Sequence, residues 1–170
     1  LISIIQDLRK RFGKIGAELG REMSLRMPLI DYIKLTQNID SEIVDASPAI
    51  WKMRMTKTDA EIQRIKYICS IVSEAYDVIT NKVCIGDSER DAARKLREEI
   101  NKRGADAIPF LPAISGENGV SQIVCGPSDR ILTSGDVLFF DTGSTYDGYF
   151  CDFDRNYGIG MISDEVKRAH

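Results

Sequence analysis

Asp141 and Asp152, eleven residues apart in the stretch "DVLFFDTGSTYDGYFCDFDRNYGIG" (136–160), are the side chains best suited to chemistry. Asp136, Asp147 and Asp154 share that stretch, and Asp164 follows it. Carboxylates set among Leu, Phe and Tyr are costly unless something pairs with them. If the chain turns back about Tyr146 and Asp147, Asp141 falls directly opposite Asp152, with Cβ atoms about 4.5–5.5 Å apart. Two ionised carboxylates that close repel or share a proton. A divalent cation relieves the repulsion, and hard oxygen ligands suit Mg²⁺, Mn²⁺, Fe²⁺ or Zn²⁺. Strand alternation sets Phe139 and Asp141 on one face, and Phe150, Asp152 and Asp154 on one face of the returning strand. Asp154 is then an additional acid beside the same site. Arg155 points the other way and is expected as a structural ion-pair partner. Gly143 leaves room for the close approach of another group. Spacing alone leaves three readings open: a metal site, an exposed acidic hairpin end, or a cluster paired with Arg. The remaining acids read as structural. Asp136 closes a Ser-Gly-Asp turn, Asp147-Gly148 turns the hairpin, and Asp164 opens a helix.

The elements that would carry this hairpin are legible from periodicity. "SIIQDLRKRF" has a helical stripe at Ile4, Ile5, Leu8 and Phe12. "GKIGAELG" and "SEIVDAS" are short strands. Between them, "MPLIDYIKLTQNI" is a helix entered through Pro28, with Leu29, Ile33 and Leu35 inward. This αβαβ order suits the end of a mixed α/β domain, and a boundary is expected near residues 46–54, with the first domain spanning 1–48 and the second 49–170. Thr58 and Glu61 form a capping box that opens a helix of more than five turns. Its stripe is Ile62, Ile65, Cys69, Val72, Tyr76 and Ile79. After a turn over 83–87, Ser88 caps a second helix with Ala92, Leu96 and Ile100 inward, ending at Gly104. The two prolines of "AIPFLPAISGENG" predict an edge strand or an irregular segment. "SQIVCGPSDRILTSGD" is a loop rich in turn residues. "VLFF" is a strand buried on both faces, and "YFCDFDRNYGIG" is its hairpin partner. Tyr146, Tyr149, Phe150 and Tyr157 are expected to pack the hairpin.

Bulk properties narrow the function classes. The 170 residues carry a net charge of −3, which argues against a nucleic-acid partner and gives no reason to expect an anionic membrane. No apolar run reaches the length of a membrane span. Cys69, Cys84, Cys125 and Cys151 form no C-x-x-C pair, and His170 is the single histidine, so no Cys/His zinc spacing exists. The thiols are expected to be reduced and mostly buried. The chain begins at Leu1 without an initiator Met and stops in what reads as a starting helix, so it is expected to be a piece of a longer protein. With no signal peptide visible, a cytoplasmic location is the expectation.

Three stretches together resemble the pita-bread metallohydrolases, the family of Xaa-Pro dipeptidase, aminopeptidase P and creatinase. "RMTKTDAEIQRIKYICSIVSEAY" is similar to the helix that leads the family's catalytic domain. "GPSDRILTSGDVLFFDTGSTYDGYFCDFDRNYGIG" is similar to its Pro-Ser-Asp-Arg, Gly-Asp, Asp-x-Gly, Tyr-x-Gly-Tyr and Asp-x-x-Arg series. "GKIGAELG" through "VDASPAIWKMR" resembles the end of its creatinase-like N-terminal domain. The resemblance implies an α/β (α+β) fold, with the end of that domain followed by the first half of a pita-bread domain.

It also implies a two-metal hydrolase, in which a metal-activated water attacks an amide C–N bond of a small-molecule or short-peptide substrate. The two divalent ions would be Mn first, with Fe, Co or Zn as alternatives. Asp141 and Asp152 match the two Asp among the family's five ligands. The remaining His and two Glu would lie beyond residue 170, as would the catalytic residues, and His170 itself is too early to be that ligand. This stretch alone is therefore expected to be inactive. A homodimer is implied as well. Ser115–Asn118 would line the pocket mouth. Two positions depart from the family pattern. Val124 stands where the peptidases carry a substrate-binding His, and Asp154 stands where they carry a small hydroxyl residue. Both keep two alternatives open: a metal-dependent lyase on the same fold, of the dimethylsulfoniopropionate lyase kind, and a non-catalytic binding relative.

Overall fold

The structure is a computed structural model that describes residues 1–169; of Arg9 only the backbone is described, and His170 lies outside the described residues. The chain divides into two compact units, Leu1–Lys57 and Thr58–His170. Among the described residues, no helix is long and apolar enough to cross a membrane.

The first unit runs α1 (Ile2–Phe12), β1 (Ile15–Ala17), α2 (Leu29–Asn38), β2 (Ile43–Asp45) and α3 (Ser47–Met55). The αβαβ order is as expected, with β1 and β2 paired in parallel from Ile15↔Ile43 to Ala17↔Asp45. Pro28 stands at the N-cap of α2, where its missing N–H costs nothing. Two expected apolar stripes are only partly buried. Leu35 is buried in α2, but Leu29 and Ile33 are exposed, as are Ile4, Leu8 and Phe12 of α1. Helix α3 was not expected. It starts at Ser47-Pro48, where Pro suits a first turn. The boundary expected near 46–54 falls within α3, and the division between compact units falls at Lys57/Thr58.

The second unit positions the hairpin. Thr58 caps α4 (Asp59–Ile79), and both reciprocal bonds of the capping box with Glu61 are made. Ser88 and Asp91 do the same for α5 (Glu89–Lys102), which ends before Gly104 at φ +97°. Ala92, Leu96 and Ile100 of α5 are fully buried, as expected. The α4 stripe differs from the expectation. Its buried residues are Ile68, Ile71, Val72, Ala75, Tyr76 and Ile79, whereas Ile62 is exposed and Ile65 half-buried. The first two turns of α4 lie against the hairpin end through Glu61–Tyr149 and Arg64–Asp147, polar contacts that leave Ile62 exposed.

The sheet is antiparallel and centred on β5 (Asp136–Tyr146). Strand β6 (Tyr149–Gly158) pairs along one edge of β5. Strands β4 (Ala113–Glu117) and β3 (Ala107–Phe110) pair with successive halves of the other edge. Pro109 and Pro112 fall in or beside these edge segments, where no second neighbour needs their N–H. Leu138, Phe140 and Cys151 face α4 and α5 in one core. The rings of Tyr76, Phe140 and Tyr157 lie 6.0–6.3 Å apart, centroid to centroid. Helix α6 (Asp164–Ala169) closes the described chain.

Candidate metal centre

Asp147 and Gly148 turn the hairpin, both with positive φ (+47° and +79°). Two left-handed residues make the tight turn whose twist matches paired strands. The register follows: Tyr146 faces Tyr149, Asp141 faces Asp154, and Gly143 faces Asp152. The expected direct pairing of Asp141 with Asp152 is corrected by two residues, because the turn centres on Asp147-Gly148 and not on Tyr146-Asp147. A shift of two preserves the face. Asp141, Asp152 and Asp154 therefore still share one side of the sheet, the side away from α4 and α5.

Electrostatics tie the three together. Burial pushes the Asp141 carboxyl up, and the charges of Asp152 and Asp154 and a hydrogen bond with Asp152 push it further. Asp141 is half-buried, while Asp152 and Asp154 are exposed. The ion pairs of this unit fall elsewhere, among them Arg64–Asp147, Arg90–Asp129, Lys95–Asp87 and Arg130–Asp136. No Lys or Arg among the described residues pairs with these three carboxylates. Within the described residues the Arg-paired reading is therefore not met. Arg155 is not an ion-pair partner here. It lies over the rings of Phe153 (5.5 Å) and Tyr76 (5.8 Å) and donates to the Asp154 carbonyl. Among the described residues, no group of three or more His, Cys, Asp or Glu is placed to hold a metal ion. Asp141 and Asp152 come together as a pair of hard oxygen donors, which fits part of a divalent-cation site.

The neighbourhood of the acids refines other expectations. A Cβ on Gly143 would overlap the rings of Phe110 and Phe150. The gap left by Gly143 is thus filled by aromatic rings, whose centroids are 6.0 Å apart, and not by an approaching ligand group. Tyr149 donates to Glu61 (2.9 Å), Tyr157 donates to the Tyr76 carbonyl (3.1 Å), and Tyr146 packs on Tyr67, so these aromatics do pack the hairpin. Farther along the same face, a groove of about 430 Å³ is lined by Asn118, Val120, Val137, Asn156 and Ile162. Val124 is 86 % exposed. Cys69 is half-buried and Cys151 buried, but Cys84 and Cys125 are exposed, so the thiols are free and only partly buried.

A buried polar network was missed in the sequence. Glu89, 3 % exposed, accepts at one oxygen from Ser115 N–H (2.6 Å) and Oγ (2.8 Å). Its other oxygen accepts from Ser128 N–H (2.9 Å) and Oγ (2.6 Å). Burial alone would raise this carboxyl, but the bonds from Ser128 and Ser115 outweigh it and hold it below the usual value. Arg130 reaches Ser115 Oγ (2.6 Å) and grips both oxygens of Asp136 (2.7 Å each). Asp136 does more than close a turn: it is 1 % exposed and also accepts from Thr133 N–H. The Arg130 guanidinium holds the Asp136 carboxyl below its usual value against the opposing effect of burial. A Glu just after an N-cap reads as a partner for the helix dipole, which conceals its second role.

Comparison with known proteins matches this architecture. The profile of metallopeptidase family M24 matches residues 63–170. The uncharacterised peptidase YqhT of Bacillus subtilis is 28% identical over 77% of this chain and 37% of its own length. A Xaa-Pro dipeptidase of Pyrococcus horikoshii is 28% identical over 89% of this chain and 43% of its own. Among solved structures, the X-Pro aminopeptidase of Thermotoga maritima superposes with a TM-score of 0.83 at 26% identity, covering 98% of this chain and 46% of that one. The Xaa-Pro dipeptidase of Bacillus anthracis gives 0.83 at 27% identity, with the same coverage. The chain spans roughly two-fifths of the length of the curated relatives it matches.

Proposed function

Because the chain belongs to metallopeptidase family M24, with its pita-bread fold, we propose that it carries half of the metal centre of a hydrolase acting on Xaa-Pro peptides. One observation carries this reading. Asp141 is half-buried and pressed by Asp152 and Asp154, with no cation among the described side chains to offset them. A cation bound among the three would relieve that repulsion. Asp141 and Asp152 would hold the divalent ions, with Asp154 beside them. Bound there, the ions would supply Lewis acidity toward the scissile amide and the attacking water. The first unit would be the end of a creatinase-like domain. We also propose Mn as the first metal, a total of two ions, a homodimer in the cytoplasm, and no nucleic-acid or membrane partner.

The chain's own part is to orient the carboxylates. Phe110 and Phe150 wall one side of the pair, and the α4–α5 core fixes β5 from behind. The test is metal analysis and peptide hydrolysis with the longer protein. Two divalent ions per chain and loss of hydrolysis in Asp152→Ala are expected; full activity in that variant would overturn the role. A lyase reading rests on Asp154, which faces Asp141 directly and adds negative charge that weakens Lewis acidity. Assaying Xaa-Pro peptides beside dimethylsulfoniopropionate separates the two, and turnover of peptides alone disposes of the lyase.

A further inference from the structure

Twelve residues, 116–127, lie between Ser115 and Ser128, and one carboxylate binds both stems. Glu89 is the point where the two ends meet. Its four bonds are all donated by the serines: two from backbone N–H groups and two from hydroxyls. A loop of this length with its ends held together is a compact Ω-type loop, a form common at functional sites. Its near stem turns through Asn118 and Gly119, both at positive φ (+59° and +139°). There Asn118, Gly119 and Val120 form one wall of the groove whose floor is Val137, Asn156 and Gly158. Asn156 lies two residues beyond Asp154 on the same strand face, so the groove lies farther along the face that carries the acids. Ile123 (54 % exposed) and Val124 (86 %) form the loop's apolar far side.

We infer that Glu89 is a positioning residue: it clasps the loop over 116–127 shut and so holds one wall of the groove on the face that carries Asp141, Asp152 and Asp154. The groove's use for substrate rests on the proposed function, but the clasp does not. The second oxygen is the critical one. Gln in place of Glu offers one acceptor oxygen and one amino donor. The hydroxyl on that side can rotate to accept from the amino group, but the backbone N–H cannot, so one stem loses its backbone anchor while the other stays bound. The Arg130–Asp136 pair continues to fix the start of β5, so release should stay local.

Hydrogen exchange on this chain tests the clasp. In Glu89→Gln, the protected amides of at least one stem (Ser115, Asn118 and Gly119, or Ser128) should exchange at least about tenfold faster, with the α4 amides from Ile68 to Ile79 unchanged. Unchanged loop exchange would overturn the inference. So would equal acceleration in α4, which would make Glu89 a general core residue. If Glu89→Gln does not fold, Ser128→Ala removes one hydroxyl donor and should loosen the far stem alone; no change there also overturns it. In the longer protein loaded with Mn²⁺, Glu89→Gln should raise KM for an Xaa-Pro dipeptide with kcat preserved. If the parent protein hydrolyses no such peptide, the proposed function fails, while the exchange result still decides the clasp.

Discussion

Asp141 is placed where its charge is hardest to keep. It is half-buried and faces Asp154 across the strands, and burial together with the charges of Asp152 and Asp154 pushes its carboxyl up. Like charges facing each other in a sheet cost stability. Asp141→Asn removes one of these charges and keeps a donor for Asp152. In the absence of metal it should stabilise the second unit by about 0.5–1 kcal/mol in urea unfolding at pH 7. A destabilised variant would mean that the acids are already satisfied and need no cation. Gly143 sits two residues on, with no room for a side chain between Phe110 and Phe150. Gly143→Ala must push those rings aside and should cost about 1–3 kcal/mol. An unfolding midpoint equal to the parent's would show that the rings yield freely.

The hairpin shows how far an element can be read from its residues. Asp147-Gly148 was legible as a turn, and alternation placed all three acids on one face. The register was not legible to better than two residues, since shifts of two leave every side chain on its own side. The position of the turn sets it, and contacts from distant elements hold that turn. Arg64 of α4 pairs with Asp147, and Asp106 accepts from the Asp147 N–H. These partners are 83 and 41 residues away, beyond any local pattern. The clasp at Glu89 was hidden for the same reason. Ser115 was read within an edge segment and Ser128 within a turn-rich loop, and nothing local joins them to a helix start 26 and 39 residues earlier. Capping, by contrast, is local, and both the Thr58–Glu61 box and the Ser88 cap were readable; that Asp91 completes a second box was not read. The turn itself gives a check on the register. Gly148→Val places a β-branched residue at φ +79° and should cost about 1–3 kcal/mol. If stability is kept, the tight turn that sets Asp141 against Asp154 is wrong.

At the scale of the whole molecule, the second unit depends on ionised carboxylates drawn into its core. Glu89 and Asp136 are buried and held below their usual values by Ser128, Ser115 and Arg130. Glu99, on the inner side of α5, is pushed down to about 2 by Arg103, Lys82 and Lys102. Each is a group whose folded value lies below its unfolded one. Its contribution is therefore complete above the ordinary carboxylate range, about 4, and is lost as pH falls toward the folded value. The second unit should hold a constant urea midpoint from pH 7 to about 5 and then lose stability progressively. Because the Glu99 value is near 2, its share of the loss continues to the acid end of that range. Glu99→Gln lacks that share. The variant should be less stable at pH 7, and its midpoint should fall less steeply between about pH 4 and pH 2. Unfolding followed by exchange of the α4 amides reads this unit by itself. Parallel curves for parent and variant would mean that the three cations around Glu99 do not favour its ionised form in the fold.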